Sequence, residues 1–128
     1  MHDPLIHAAL TARLNAHAPF SHFLVGAAIE ASDGRIFTGC NVENATYGLT
    51  ICAERVAVFK AISEGARHFR RVVVAADTPK LTPPCGACRQ ILWEFLGDVP
   101  VVLVNLNNQM ETMRMLDLLP RPFDASFL

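Results

Sequence analysis

Two short segments, Cys52-Ala53-Glu54 and Pro84-Cys85-Gly86-Ala87-Cys88, constrain this chain more than any other feature, because together they offer three thiolates and one carboxylate. A zinc ion that activates water takes three protein ligands and leaves its fourth tetrahedral position open, whereas a structural zinc usually closes all four. An acid two residues from the first thiolate suits the open kind. A fold that uses these residues together must bring two separate stretches of chain to one point.

The hydrophobic pattern shows how. Asp3-Pro4 supplies an N-cap and a first helical residue, and Leu5, Ile6, Ala9, Leu10, Ala12 and Leu14 recur at helical spacing, which predicts an amphipathic helix up to about His17. Ala18-Pro19-Phe20-Ser21 breaks it. The apolar residues 23–31, the turn Ser32-Asp33-Gly34 and residues 35–40 read as a β-hairpin. Residues 41–50 are polar, contain Gly48 and lack a period, as expected of a loop that delivers side chains to a site. A helix is expected over 51–64, stopped by Gly65, with Cys52 in its first turn.

Arg71-Val72-Val73-Val74-Ala75-Ala76 and Val101-Val102-Leu103-Val104 have the near-continuous apolar character of strands covered on both faces. Between them lie the proline-rich residues 78–84 and a helix over about 86–95. Asn107-Asn108 is a turn, and residues 110–128 hold a short strand, a helical turn near 115–119 and a tail broken by Pro120 and Pro122. Strands alternating with helices predict a three-layer α/β/α sandwich, and the opening hairpin makes its five-stranded sheet mixed. Both cysteine segments then begin helices, whose free N–H groups and positive dipole end favour thiolates over thiols.

A chain of 128 residues suits one compact domain spanning 1–128. At 52% hydrophobic and 18% charged it is more apolar than an average soluble domain, which leaves material for a subunit interface. The formal charge of −1, from 11 basic and 12 acidic residues, gives no footprint for a phosphate backbone, so nucleic acid is disfavoured as a partner. Residues 1–20 carry neither a secretory leader pattern nor a run able to cross a bilayer, so no membrane association and a cytoplasmic location are expected. In that reducing compartment Cys40, Cys52, Cys85 and Cys88 point to metal or redox chemistry and away from disulfides.

Bland readings compete with each of these residues. Cys85-x-x-Cys88 alone also fits a dithiol redox motif, but that leaves Cys52-x-Glu54 without a role, whereas the zinc reading uses every member. Three cysteines could instead only staple an interaction module, with Glu54 or another group closing the site. Glu54 alone could be a helix-dipole acid, and Arg55 a solvated cation. Yet a zinc with three thiolates carries excess negative charge, which a guanidinium donating to the sulfurs would offset. Asn41, Glu43 and Asn44 could be turn residues, and Phe23 and Val25 core residues. Cys40 reads as a buried small hydrophobe. His2, His7, His17, His22 and His68 have no ligand spacing, Arg89 and Gln90 read as polar helix-face residues, and Trp93 and Phe95 as packing. Phe123 and Phe127, after a proline break, suit packing against something the monomer does not supply.

The motifs taken together resemble the short, homotetrameric type of cytidine deaminase over nearly the whole chain. The stretches that carry the resemblance are Pro19-Phe20-Ser21 with Phe23, Val25-Gly26-Ala27-Ala28, the run from Gly39 through Ala45 with Thr46-Tyr47-Gly48, Cys52-Ala53-Glu54-Arg55, the run from Pro83 through Gln90, and Leu118-Leu119-Pro120. The cysteine segments also fit the zinc deaminase signature in its three-cysteine form. The resemblance implies one Zn²⁺ per subunit on Cys52, Cys85 and Cys88, with Glu54 as proton shuttle. It also implies Asn41 and Glu43 at the ribose hydroxyls, and Phe23, Tyr47 and Ala53 at the substrate. Phe123 would approach the base from a neighbouring subunit of a homotetramer with shared active sites.

Phe20 in place of a more usual tyrosine, and Arg121-Pro122-Phe123 in place of a Gly-Ala-Phe type ending, depart from the family pattern. Blasticidin S deaminases share the zinc segments, but Asn41-Val42-Glu43-Asn44 resembles the cytidine enzymes. The expected activity is hydrolytic deamination of cytidine and 2′-deoxycytidine in pyrimidine salvage. Alternatives are a cytosine nucleoside analogue, or cytosine in single-stranded nucleic acid. A buried Glu43 partnered only by a sugar hydroxyl is expected to reject free cytosine, which would leave that carboxylate unpaired.

Overall fold

The computed structural model describes residues 3–128; His2, one of the histidines without ligand spacing, lies outside them. The first helix, α1 (Pro4–Arg13), begins where its sequence says it should: Asp3 Oδ1 accepts from the Leu5 N–H at 2.9 Å, with Pro4 in the first turn. It stops at Arg13, short of the predicted His17. Leu14, Asn15 and Ala16 bond three residues back, and the His17 N–H turns to the Asn41 carbonyl at 2.9 Å. A long-range bond has replaced further helix.

Strands β1 (Val25–Ala31) and β2 (Ile36–Cys40) form the predicted hairpin, with Gly34 at φ +93° in the turn. The strand begins at Val25, two residues after the apolar pattern does. Asn41 is the reason: its Oδ1 accepts from the Val25 N–H at 2.9 Å and its Nδ2 donates to the Phe23 carbonyl at 2.7 Å. That side chain takes the bonds a neighbouring strand would have offered. Helix α2 (Ala53–Ser63) leads to β3 (Phe69–Ala76), and α3 (Gly86–Leu96) crosses from β3 to β4 (Pro100–Val104). A tight turn gives β5 (Met110–Arg114), followed by the short α4 (Met115–Leu118).

The sheet order is β2-β1-β3-β4-β5, and β3 with β4 is its parallel pair, as a helical crossover requires. The other pairs are antiparallel, so the sheet is mixed and five-stranded, as predicted. Its residues alternate between two cores. Ala28, Val73, Ala75, Val102 and Val104 pack on Leu5, Ile6 and Ala9 of α1. Ala27, Ile29, Val72, Val74, Val101 and Leu103 pack on α2, α3 and Met115 of α4. Each fully buried aliphatic side chain contributes about 1.5–3 kcal/mol of transfer free energy, which is why the sheet is covered on both faces.

Two glycines set the spacing of the layers. A Cβ at Gly26 would lie 2.1 Å from the Ala9 carbonyl oxygen of α1, and one at Gly39 would lie 2.4 Å from the Ala53 carbonyl oxygen of α2. Opposite Gly39, α2 presents the buried stripe Ala53, Ala57 and Ala61, one small residue per turn. The start of α2, where two of the chemically interesting residues sit, therefore rests almost directly on the backbone of β2.

Candidate active site

The ends of β1 and β3 and the starts of α2 and α3 enclose a cavity of about 210 Å³. Cys52 and Cys85 are the N-cap residues of α2 and α3, with extended backbone, so Cys52 stands just before the first turn in which it was expected. Cys88 lies one turn into α3 and is fully buried. The sulfurs of Cys52, Cys85 and Cys88 all lie within 4.8 Å of one another, positioned to hold a metal ion. Cys40 pairs with Gly26, and so belongs to the α1 side of the sheet, away from this cluster.

The chemistry of this donor set fits a divalent cation. The Cys52 thiol is lowered to about 5, chiefly by a hydrogen bond from the Cys88 thiol and then by the Arg55 guanidinium. Cys88 is pushed up by that same hydrogen bond and by burial. Ionised sulfurs this close together repel one another, and a divalent cation at their centre is what offsets that repulsion. Arg55 Nη2 donates to Cys52 Sγ at 3.3 Å, which is the compensation expected of it, while its buried Nε has no protein partner. A thiolate-rich centre is the environment such a guanidinium suits.

Glu54 is 4% exposed and lines the cavity beside Cys52, Ala53 and Cys85. Burial pushes its carboxyl up from the usual carboxylate range, and the nearby Cys52 charge adds to this. An acid with its affinity for protons raised, at the wall of an otherwise mostly apolar cavity, can both take and return a proton.

The polar end of the cavity differs from expectation. Glu43 is half-buried, and its carboxylate is already well partnered: Oε1 accepts from the Phe20 and Ser21 N–H groups at 2.9 and 3.1 Å, and Oε2 from the Ser21 hydroxyl. The Ser21 hydroxyl, followed by the two N–H groups, holds Glu43 below the usual carboxylate range. The expectation of a buried carboxylate without a protein partner is therefore corrected. Its cause is the break at residues 18–21, which folds back onto the 41–50 loop. Asn41 likewise commits part of its amide to Phe23 and Val25, and keeps one N–H and one lone pair.

Phe23, Asn41, Glu43, Cys52, Ala53, Glu54 and Cys85 all line the cavity, as does Val25. Tyr47, 74% exposed, stands outside it in an adjoining depression with Phe20, Ser21, Glu43 and Thr50, its ring edge-on to Phe20 at 5.9 Å. Phe123 is not brought to this chain's own cavity: it is 60% exposed and stacked on Phe127 at 5.6 Å. Sequence reasoning missed Ser21, Thr50, Thr82 and Val74 as lining residues. A β-strand pattern identifies Val74 as buried without saying against what, and the serine and threonines carry no spacing signal.

A family model described as the cytidine and deoxycytidylate deaminase zinc-binding region matches residues 1–104. This chain belongs to that deaminase family. Two relatives match along nearly their whole length: the chain is 48% identical over 127 residues to a cytidine deaminase of Sporosarcina psychrophila, covering 98% of this chain and 93% of the relative. It is also 48% identical over 122 residues to a cytidine deaminase of Halalkalibacterium halodurans, covering 94% and 92%. The crystal structure of cytidine deaminase from Burkholderia pseudomallei superposes with a TM-score of 0.91 at 46% identity, covering 96% of this chain and 99% of that one. The three-layer deaminase architecture predicted from sequence is thus the one observed, and the thiol cluster falls within the family's zinc-binding region. Among the described residues no helix is long and apolar enough to cross a membrane.

Proposed function

We propose that this chain hydrolyses the exocyclic amine of cytidine and 2′-deoxycytidine, giving uridine or 2′-deoxyuridine and ammonia, in pyrimidine salvage. Residues 1–128 act as one deaminase domain. The observation that carries the reading is a buried carboxyl, Glu54, sharing a cavity wall with sulfurs that converge within 4.8 Å. A Zn²⁺ ion held by Cys52, Cys85 and Cys88 supplies the Lewis acidity that makes water nucleophilic near neutral pH.

Glu54 manages the protons. It removes one from water as the oxygen bonds to C4, and delivers it to N3, which receives the electron pair of the C4–N3 double bond. It then carries the remaining hydroxyl proton to the amine, so that the C4–N bond breaks, C4=O forms and ammonia leaves. Phe23 packs beside the nucleoside, and Ala53, whose N–H heads α2 without a helical partner, offers the base a donor. Asn41 and Glu43 take the ribose hydroxyls. Because Ser21 and Phe20 already partner Glu43, free cytosine leaves no orphaned carboxylate. Preference for nucleosides then comes from the ribose contacts alone and is more modest than a bare buried acid would impose.

The open side of the cavity is completed by neighbouring copies in a homotetramer. Supporting this are the exposed aromatic rings of Tyr47, Phe123 and Phe127, which the single chain leaves largely uncovered. A cytoplasmic setting suits a site built from three thiols. The test is the absorbance change of cytidine, 2′-deoxycytidine, free cytosine and a cytosine-containing single-stranded oligonucleotide with zinc-loaded protein, with and without chelator. The expected result is chelator-sensitive turnover of both nucleosides, weaker turnover of the base and none of the oligonucleotide. Zinc-loaded protein inert on both nucleosides would refute it.

A further inference from the structure

Arg89 reads from the sequence as a polar residue on a helix face, and it does not line the cavity. Its guanidinium nevertheless makes two long reaches: Nε donates to the Pro84 carbonyl at 2.8 Å and Nη1 to the Leu118 carbonyl at 2.9 Å. Its main chain makes the ordinary first bond of α3, donating to the Cys85 carbonyl at 2.9 Å as any helical residue here would. The Arg89 side chain thus holds the carbonyl just before Cys85, while the helix backbone holds the one just after it.

This matters because of the loop that delivers Cys85. Residues 77–84 form neither helix nor strand. Among the described residues, two side chains bond to their main chain: Asn105 Nδ2 donates to the Thr78 carbonyl at 3.0 Å at one end, and Arg89 to Pro84 at the other. Between these clamps a single side-chain pair, Thr78 with Thr82 at 2.9 Å, braces the loop. Pro79, Pro83 and Pro84 fix φ but donate nothing. Cys85 itself is exposed, so packing does not hold it. Cys88, by contrast, is locked in the core.

We propose that Arg89 is a positioning residue of the metal site, a strut that fixes Cys85 against Cys52 and Cys88 by clamping the Pro84 carbonyl to the Leu118 carbonyl at the end of α4. The proposal rests on the zinc reading given above. Arginine suits the task because its planar fork presents two donors in fixed directions, which the point charge of lysine cannot. Charged donors also make the stronger hydrogen bonds. Gln90, the next residue, donates to the Phe123 carbonyl at 2.8 Å, so the same turn of α3 holds the tail and the metal loop.

The test is the rate at which zinc-loaded protein loses its ion to excess chromogenic chelator, for wild type, Arg89→Ala and Arg89→Lys. Asp3→Asn serves as control, since it breaks the ion pair with Arg71 on the opposite face of the sheet and touches nothing at the site. Release is expected to accelerate about ten- to a hundredfold in Arg89→Ala, as for other groups that orient ligands, and by less in Arg89→Lys. In Asp3→Asn it stays at the wild-type rate despite a lower melting temperature. Turnover of the loaded variants falls in kcat with KM unchanged. Arg89 variants that release zinc no faster than the Asp3→Asn control overturn the proposal, and Arg89→Lys decides it should Arg89→Ala fail to fold. Wild-type protein that retains no zinc overturns instead the metal reading beneath it.

Discussion

Replacing Gly39 with alanine adds one methyl group at the place where β2 and α2 nearly touch. That carbon would sit 2.4 Å from the Ala53 carbonyl oxygen, 2.6 Å from the Ala57 nitrogen and 3.1 Å from the Val56 Cβ. Relief to ordinary van der Waals contact, about 3.5 Å, requires α2 to retreat by about 1 Å. The obstructing atoms are helix backbone, so no side chain can swing aside. Overpacking of this kind costs about 1–3 kcal/mol, and a loss of about 2 kcal/mol lowers the melting temperature of a domain this size by about 8 °C.

The larger consequence is chemical. Cys52 and Glu54 flank Ala53 and move with it, while Cys85 and Cys88 stay with α3. Zinc–sulfur distances tolerate about 0.2 Å, and a misplacement of about 1 Å costs on the order of a hundredfold in rate. The assay is a thermal melt, zinc content and cytidine turnover on the same preparation. Gly26→Ala is the matched comparison: its Cβ would lie 2.1 Å from the Ala9 carbonyl oxygen, but on the other face of the sheet. It is expected to lose at least as much stability while keeping zinc. Gly39→Ala protein with full zinc and wild-type turnover, or equal loss of zinc in both variants, would refute the reasoning.

Glu54→Gln keeps fold and zinc but loses about 10²–10⁴ in kcat, measured by ammonia release, because the amide cannot shuttle protons. Ser21→Ala removes the hydroxyl that orients Glu43 and is expected to raise the KM for cytidine about tenfold with little change in kcat; an unchanged KM would free Glu43 of dependence on that loop. Asp3 is held below the usual carboxylate range by Arg71, whose Nη2 donates to it at 2.9 Å. A carboxylate lowered in the folded state stabilises it above the unfolded pKa, and that contribution fades as pH falls through the folded one. Asp3→Asn therefore costs about 1 kcal/mol near pH 7, after allowance for solvent screening, and the gap closes in acid below about pH 4. Urea denaturation at several pH values measures it.

The elements of this fold were legible wherever a local rule decides them. The Asp3-Pro4 cap, the hairpin turn at Gly34 and the two valine-rich strands all stand where pattern placed them. What pattern could not place were ends decided by partners distant in sequence: α1 stops at Arg13 because the next turn bonds to Asn41, and β1 waits until Val25 because the Asn41 amide occupies the preceding backbone. The site divides in the same way. Its cysteines and Glu54 were visible because metal chemistry imposes residue types and spacing. Ser21 on Glu43, and Arg89 on Pro84, were not visible, since a serine in a turn and an arginine on a helix carry no signal until the chain has closed.

Trp93, the only tryptophan in the chain, donates its indole N–H to Asp124 at 2.9 Å, directly beneath the tail that carries Phe123. The protein therefore contains its own optical gauge. Undocking of the last few residues exposes that ring to solvent and shifts its fluorescence to the red, whereas rearrangements confined to the sulfur cluster leave the emission where it was. Association between copies that clamps the tail can be followed in the same signal, with no added label.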